Sequence, residues 1–398
     1  CSGCCVENHA QNPLHVIEKW NGKFFEKTTL KSIGLRVQLG HCGSSRCPKS
    51  RPAPEDFTVI HTNGIHNLLR RRWFPATHLQ PQTCCTLDCL NLFHLLTLQS
   101  KISGYDFYST LVSLTDNIGI SQPPDQRRQF MRIIRELKHL RSMKRAGCGH
   151  APGGVAATAP GELAVLCPAC PHPGVNLPDN WQDEPPEKQY LYTLSLSMDA
   201  NFRLKNKMIS TVARDATLGD GMAYFVASSP YKKHLLNYTN QQDISTNISS
   251  CSGLAALALA NTKYSEGYRA TGVGNVVCRH QCVMRNGIGD LQKGERYCNM
   301  DYIMASAILN SSSLTQVFVS YDIACQWSVH LHKRWEQLPN HLGDTVSLIR
   351  GSGIGKFHEY GHGPKCRDKH SLNYLIGVGR LYGEGVERNW SWINPVAT

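Results

Sequence analysis

Two strand-like segments that each run directly into an aspartate constrain the fold of this 398-residue chain most strongly. Residues 190–198 (YLYTLSLSM) alternate in side-chain character and end on Asp199. Residues 314–321 (LTQVFVSY) have the pattern of a buried strand and end on Asp322, and residues 323–335 then read as a helix. Because strands are mixed with helices, the sequence predicts an α/β fold in which helices flank a sheet.

The last, partly helical segment, residues 372–392, adds two further carboxylates, Glu384 and Glu387. Three carboxylates that converge at one edge of a sheet can hold two divalent ions about 3.5–4 Å apart. Mg²⁺ needs only a few such oxygen ligands because it keeps several waters. The alternative is structural, since an aspartate after a strand is often a turn or helix-capping residue. The pattern therefore favours either a two-metal phosphodiester site or a set of local caps.

Seventeen cysteines, many in close pairs with histidines nearby, indicate zinc rather than disulfides. Disulfide-dense scaffolds are usually short and secreted, and this chain is long. A structural zinc site needs four ligands. The pair at 167 and 170 is only half a site, with Cys148 and His150 as candidate partners and a metal-free turn as the alternative. The candidate zinc ligands are Cys1, Cys4, His9, His15, Cys42, Cys47, Cys167 and Cys170.

Three other thiol and imidazole groups are open to more than one interpretation. Cys278, His280 and Cys282 form either a metal clip or packed, reduced side chains. His358 and His362, near Cys366, have metal-ligand spacing on a helix, but surrounding glycines argue against a helix there. Cys325 is expected to be a core thiol.

Composition shifts divide the chain into four predicted regions. Residues 1–66 form a Cys/His-rich zinc-type module, residues 67–146 a helical basic region, residues 147–189 a Pro/Gly-rich linker, and residues 190–398 the α/β core. The missing initiator Met and the ending at Thr398 predict a fragment, truncated at the C-terminus.

A basic helix at residues 127–145 is the strongest candidate for binding a polyanion, in a chain of net charge +12. Its predicted apolar face consists of Phe130, Ile133, Ile134, Leu137 and Leu140. Its basic face either neutralises DNA phosphates or is simply a solvated surface. No apolar run approaches the roughly 18–20 residues of a spanning helix, which excludes an integral membrane protein. The candidate DNA-binding residues on the helix are Arg128, Arg132, Arg135 and Lys138.

Five blocks in the second half resemble the signature blocks of the Kyakuja–Dileera–Zisupton (KDZ) transposases of fungi. They are residues 199–207 (DANFRLKNK), 287–297 (GIGDLQKGERY), 299–303 (NMDYI), 320–327 (SYDIACQW) and 383–390 (GEGVERNW). The front half is similar to the cysteine-cluster domain that accompanies these transposases. Its matching blocks are residues 13–20 (PLHVIEKW), 35–41 (LRVQLGH), 63–66 (NGIH), 73–77 (WFPAT) and 167–171 (CPACP).

The resemblance implies a ribonuclease H-like catalytic core with a helical insertion and a DDE triad. Asp199 and Asp322 would be the two aspartates and Glu387 the glutamate, with Glu384 as the second choice. The cofactor would be Mg²⁺ or Mn²⁺, and Zn²⁺ would serve the cysteine cluster.

The resemblance also implies partners and a location. The substrate would be DNA, both transposon ends and target, handled by a homo-oligomer in the nucleus. Lys293 and Arg296 would contact DNA phosphates unless they are solvated helix charges. A cysteine pair that usually follows the NGIH block in this family is absent here, which keeps open a decayed or domesticated DNA- or zinc-binding protein.

Overall fold

The computed structural model describes residues 1–10, 12–35, 57–66, 73–79, 81–120, 122–208, 211, 217–239, 267–292 and 294–397. The chain divides into two compact units, Cys1–Arg141 and Ser142–Thr398. Each unit contains both strands and helices, so the predicted mixed α/β class is confirmed.

The first unit begins with a helix, a hairpin and a small mixed sheet. The helix is α1 (Ser2–His9), and the hairpin pairs β1 (Ile17–Trp20) with β2 (Phe25–Thr28). The sheet has the order β4–β3–β6–β5 and contains β3 (Thr58–His61), β4 (Gly64–His66), β5 (Trp73–Pro75) and β6 (Thr83–Thr86). Three longer helices follow: α2 (Leu87–Gln99), α3 (Gly104–Thr115) and α4 (Arg127–Ala146).

Local sequence explains how the helices of this unit begin and pack. The Thr86 side chain accepts a hydrogen bond from the Cys89 N–H and caps α2, and Ser103 caps α3 in the same way. Three aromatic rings form the centre of the core, with the ring of Phe93 lying 5.0 Å from Phe107 and 5.2 Å from Phe130. Such tilted and edge-on aromatic pairs add to the stability gained from burial.

Helix α4 forms where its periodicity predicts, although one residue of its predicted apolar face is exposed. Phe130, Ile133, Ile134 and Leu137 are buried as predicted. The inclusion of Leu140 was wrong, because half of that side chain is exposed.

The sheet of the first unit crosses the boundary predicted at residues 66 and 67. Strand β3 pairs with β6 in parallel over residues 58–60 and 83–85, so both sides of that boundary share one sheet. The region predicted as helical therefore starts with strands. The reason is that Thr83-Cys-Cys-Thr86 is short and fully buried, and such runs carry no helical periodicity.

The second unit is built around a mixed sheet with the strand order β11–β10–β7–β12–β13. These strands are β7 (Leu194–Asn201), β10 (Gly272–Cys278), β11 (Val283–Leu291), β12 (Val317–Ser320) and β13 (Ile349–Gly353). Strands β11, β10 and β7 are antiparallel neighbours, whereas β7, β12 and β13 run parallel. A separate pair joins β8 (Asn206–Lys207) to β9 (Tyr268–Ala270).

Helices surround this sheet, and the longest buried one is α6. The helices are α5 (Ser228–Thr239), α6 (Tyr297–Leu309), α7 (Ala324–Trp327), α8 (Leu331–Trp335), α9 (Asn340–Gly343), α10 (Pro364–His370) and α11 (Gly385–Ile393). Helix α6 lies close against the sheet because Gly274 and Gly289 lack side chains, and a Cβ at either position would overlap Ile303. Inside the same core, Asp301 accepts hydrogen bonds from the Arg334 guanidinium and the Trp327 indole, both at 2.7 Å.

Two expectations about this unit are corrected by the structure. The helix predicted at residues 323–335 is divided into α7 and α8. The segment predicted as a linker, residues 147–189, contributes the buried residues Cys167, Cys170 and Trp181 to the core.

Candidate active site: a carboxylate cluster at the sheet edge

The two aspartates singled out in the sequence occupy matching positions on neighbouring parallel strands. Ser197 of β7 lies opposite Ser320 of β12 in the strand register. Asp199 and Asp322 each come two residues later, so the parallel pairing delivers both carboxylates to the same end of the sheet. Both side chains are only partly accessible.

Helix α11 brings a third carboxylate and a hydrogen-bond donor to the same place. Glu387 lies in its first turn, and the Trp390 indole N–H, one turn later, donates to Asp199 Oδ2 at 2.7 Å. Residues three positions apart share one face of a helix. The Glu-Arg-Asn-Trp sequence therefore presents Glu387 and Trp390 together to the sheet.

An imidazole lies among these carboxylates. His358 Nδ1 is 3.2 Å from Asp322 Oδ2, and its Nε2 is 3.4 Å from Glu387 Oε1 and 3.8 Å from Glu384 Oε2. The histidine belongs to a short 3-10 turn, His358–Gly361, rather than to the α-helix considered in the sequence.

The structure distinguishes the two candidate glutamates. Glu384 Oε1 accepts the Phe357 N–H at 2.7 Å, and a Cβ at Gly355 would collide with this carboxylate. Glu387 instead groups with Asp322 and His358, and ligand atoms of these three residues lie within 4.8 Å of one another. Glu387 is thus grouped with Asp322 and His358, whereas one oxygen of Glu384 binds the loop beside it.

Burial and repulsion between the carboxylates raise their pKa values, so the cluster does not readily carry its full negative charge. Burial raises the pKa of Asp322 to about 8 and that of Asp199 to about 6, and the negative charge of neighbouring carboxylates contributes to both increases. The pKa of Glu384 rises to about 7, mainly through burial. The hydrogen bond to Glu387 raises the pKa of His358 to about 9, so one imidazolium offsets part of the negative charge.

A further carboxylate, Glu295, was missed by the sequence analysis. Its Oε1 accepts the Tyr321 hydroxyl at 2.6 Å, and burial together with Asp199 raises its pKa to about 8. Little in the local sequence points to a functional role for Glu295, because it lies just before α6 in a charged stretch and resembles an ordinary helix-start residue. Its position within the GIGDLQKGERY block was the one available indication.

The donor set fits a divalent metal. Glu384 Oε2 and Glu387 Oε2 are buried, and among the described residues neither has a hydrogen-bond partner. Buried carboxylate oxygens without partners are costly, and a cation with oxygen ligands removes that cost. The cluster therefore has both the charge and the unsatisfied oxygens that a hard cation requires.

The predicted N-terminal zinc ligands are only partly brought together. The sulfurs of Cys1 and Cys4 are 3.2 Å apart at the start of α1, whereas His9 bonds with the Cys5 carbonyl at 2.8 Å and stacks edge-on with His15. Within the described part of the chain these four residues do not form a metal-binding group. The other predicted ligands of this module, Cys42 and Cys47, lie outside the described residues.

The second predicted pair finds partners far away in the sequence. Cys167 and Cys170 group with Cys278 and His280 rather than with Cys148 and His150. Another group joins Cys325, His362 and Cys366, with the Cys325 sulfur 3.6 Å from His362 Nδ1. The interpretation of Cys325 as only a core thiol is therefore incomplete.

The basic residues predicted to contact DNA lie mainly on the exposed face of α4. Arg128, Arg132 and Lys138 are exposed and Arg135 is half-buried, and Arg132 pairs with Glu136 at 2.9 Å. Arg296 precedes the first residue of α6 and is also half-buried, whereas Lys293 lies outside the described residues. In the part of the chain that the structure describes, no helix has the length and apolarity to cross a bilayer.

Comparison with known families gives matches in both the N-terminal and the C-terminal part of the chain. Residues 192–398 match the model of the Kyakuja-Dileera-Zisupton transposase family. Residues 30–68 and 66–119 match the CxC2 like cysteine cluster associated with KDZ transposases. Searches of curated proteins and of solved structures gave no match. The transposase match covers more than half of the chain and contains Asp199, Asp322 and Glu387, and the chain belongs to the KDZ transposase family.

Proposed function

We propose that this protein is a DDE-type DNA transposase of a fungal mobile element, which cleaves phosphodiester bonds and transfers DNA strands with Mg²⁺ or Mn²⁺. The observation that carries the proposal is the grouping of Asp322 with Glu387 of a late helix, together with Asp199 at the same end of the neighbouring parallel strand, hydrogen-bonded to Trp390 of that helix. Membership of a transposase family supplies the DNA substrate.

The strand order supports a ribonuclease H-like core. The first three strands in chain order, β7, β10 and β11, pair antiparallel, and the next two, β12 and β13, add in parallel on the other side of β7. The first strand, β7, therefore lies at the centre of the sheet. The resemblance implies that the first catalytic aspartate belongs to the first strand and the second to the fourth. Asp199 on β7 and Asp322, two residues after β12, fit that assignment.

The residues around the site have separable roles in this proposal. Asp199, Asp322 and Glu387 would hold the metal, which supplies an activated oxygen nucleophile and stabilises the leaving oxygen. Trp390 holds the Asp199 carboxylate in place through its indole N–H. His358 carries positive charge between Asp322 and Glu387, and Glu384 anchors the loop that carries His358.

The wider setting of the reaction follows from the same family membership. The exposed arginines and lysine of α4 would bind DNA phosphates without reading sequence. Transposition joins two transposon ends to a target, for which we propose a homo-oligomer. Because the substrate is chromosomal DNA, we propose that the protein acts in the nucleus.

Metal-dependent nicking of a supercoiled plasmid tests the proposal. The wild-type chain, Asp199→Asn, Asp322→Asn and Glu387→Gln would be compared in Mn²⁺, with Glu336→Gln, an exposed residue just after α8, as the control. We expect nicking by the wild type and the control, and loss of at least a hundredfold in the three site variants. Circular dichroism would establish that each variant is folded.

Two results would contradict the proposal. Nicking that persists in all three variants would place the activity elsewhere or in a contaminant. A folded wild-type protein that neither binds Mn²⁺ nor nicks DNA would favour the alternative, a decayed or domesticated DNA- or zinc-binding protein.

A further inference from the structure

Four metal-binding side chains from two distant segments converge outside the carboxylate cluster. Cys167 and Cys170 come from the loop before β7, whereas Cys278 and His280 come from the end of β10 and the turn after it. One ligand atom of each lies within 4.8 Å of all the others. His280 Nδ1 is 3.5 Å from both the Cys167 and the Cys170 sulfur.

The loop that carries the first pair is held by its own hydrogen bonds. The Cys170 N–H bonds to the Cys167 carbonyl at 3.3 Å, which closes a tight turn around the two thiols. The Asn176 amide donates to the Cys170 carbonyl at 2.7 Å, and His172 Nε2 lies 2.7 Å from the Cys167 carbonyl oxygen. Such outer hydrogen bonds fix the direction of metal ligands.

The turn that carries the second pair has a backbone shaped to present both side chains. The Gln281 N–H bonds to the Cys278 carbonyl at 2.8 Å, and Gln281 has a φ of 68° although it is not glycine. A non-glycine residue in this region costs energy, which the surrounding structure must offset. The strained turn places the His280 imidazole against the two thiols of the other segment.

We propose that Cys167, Cys170, Cys278 and His280 bind a structural zinc ion. Three thiolates and one imidazole form a closed tetrahedral set of the kind zinc uses for structure. The three cysteines are buried, as a structural site requires, and the exposed His280 covers them. Cys167 and Cys170 lie outside the ranges matched by the cysteine-cluster family model, Cys278 and His280 lie within the KDZ match, and the group is separate from the carboxylates.

Ordinary core packing explains this group less well than zinc does. Buried cysteines often act as small apolar residues, and these three belong to the core. A polar imidazole nitrogen directed at two thiols is not expected of an apolar contact. The cysteines are free thiols in the structure, so a disulfide does not account for the cluster.

This zinc would connect the loop before β7 to the helix that carries Glu387. The Asn389 side chain of α11 donates to the Gln281 carbonyl at 3.0 Å, within the zinc-bearing turn. The Arg279 N–H of the same turn bonds to the Ser195 carbonyl of β7 at 3.0 Å. The ion would therefore hold the turn that supports both Asp199 and Glu387 from outside the active site.

Zinc content of the purified full chain, compared between variants, tests the proposal. We expect Cys170→Ser and His280→Ala each to lose one zinc ion per chain relative to the wild type. Cys148→Ser, a cysteine outside the group, would keep the wild-type content. His280 is exposed, so its replacement should leave a folded protein whose metal content can be measured.

Cys282 provides the sharpest discrimination, because it follows the same turn and its sulfur lies 4.0 Å from the His280 carbonyl oxygen, yet it is outside the group of four. We expect Cys282→Ser to keep zinc and, after Co²⁺ substitution, the thiolate charge-transfer absorption of the wild type. Zinc lost in Cys282→Ser but kept in His280→Ala would overturn the ligand set. Unchanged zinc in Cys170→Ser, or a Cys167–Cys170 disulfide in the freshly isolated protein, would overturn the site itself. None of these readouts depends on DNA cleavage.

Discussion

Replacing Trp390 by Phe removes the one indole donor to Asp199 while keeping an aromatic ring on α11. The lost bond is 2.7 Å long and its acceptor is a carboxylate that burial already drives towards protonation. A hydrogen bond to a charged group contributes about 1.5–3 kcal/mol. At about 1.4 kcal/mol per pKa unit, the pKa of Asp199 would rise by about one to two units.

The sign of the effect on metal binding follows from this shift. A metal binds the deprotonated carboxylate, so a higher pKa weakens binding at low pH and leaves it unchanged at high pH. Starting from a pKa of about 6, the variant would bind Mn²⁺ roughly three- to twenty-five-fold more weakly at pH 6.5 and nearly normally at pH 9.

Isothermal titration calorimetry of Mn²⁺ binding at the two pH values measures this prediction. Trp392→Phe is the matched control, because Trp392 lies on the same helix with more than half its surface exposed. Equal Mn²⁺ affinity in Trp390→Phe and Trp392→Phe at pH 6.5 would refute the role given to the indole. A loss of equal size at both pH values would indicate misplacement of the carboxylate rather than a change in its pKa.

Three further predictions concern charged side chains. The pKa of Asp322 is raised to about 8, so the metal-free folded state binds a proton that the unfolded state releases, and stability falls as pH rises from about 4 to 8. Urea unfolding of Asp322→Asn at several pH values should show a smaller fall in the free energy of unfolding as pH rises, and a fall equal to that of the wild type would contradict this prediction. Asp301→Ala leaves the Arg334 guanidinium buried without its partner and should lower the free energy of unfolding by about 3–5 kcal/mol, whereas a loss below about 1 kcal/mol would show that the pair is dispensable. Replacing Arg128 and Arg132 by Gln should make the slope of log DNA affinity against log salt less negative by about 2; the same slope as the wild type would mean that α4 does not contact phosphates.

Local patterns in the sequence predicted the features that depend on neighbouring residues. The strand that carries Asp199 and the strand before Asp322 follow from buried apolar runs, and α4 follows from its 3.6-residue periodicity. The parallel register that aligns the two aspartates is consistent with the expectation that they converge. Motif blocks, rather than periodicity, identified the family and pointed to Glu387.

Long-range contacts decided what the local patterns left open. The sequence pattern paired His358 with His362, whereas the fold gives their ring nitrogens different partners: His358 faces the Asp322 carboxylate and His362 the Cys325 sulfur. Glu295 joins the carboxylates through Tyr321, a contact without any local signal. The motif ranks Glu387 above Glu384, and the structure adds a contact that no local pattern predicts, the Phe357 N–H that donates to Glu384.

The cysteines show most clearly where sequence ends and tertiary structure begins. The chain by itself marked Cys167 and Cys170 as half of a zinc site, because two thiols at this spacing share one turn. The other half consists of Cys278 and His280, and His280 lies 113 positions after Cys167 in the sequence. The pairing of β10 with β7 brings the two halves together. Spacing along the chain determines which ligands can share a turn. Strand pairing determines which turns meet, and strand pairing depends on burying the whole sheet at once.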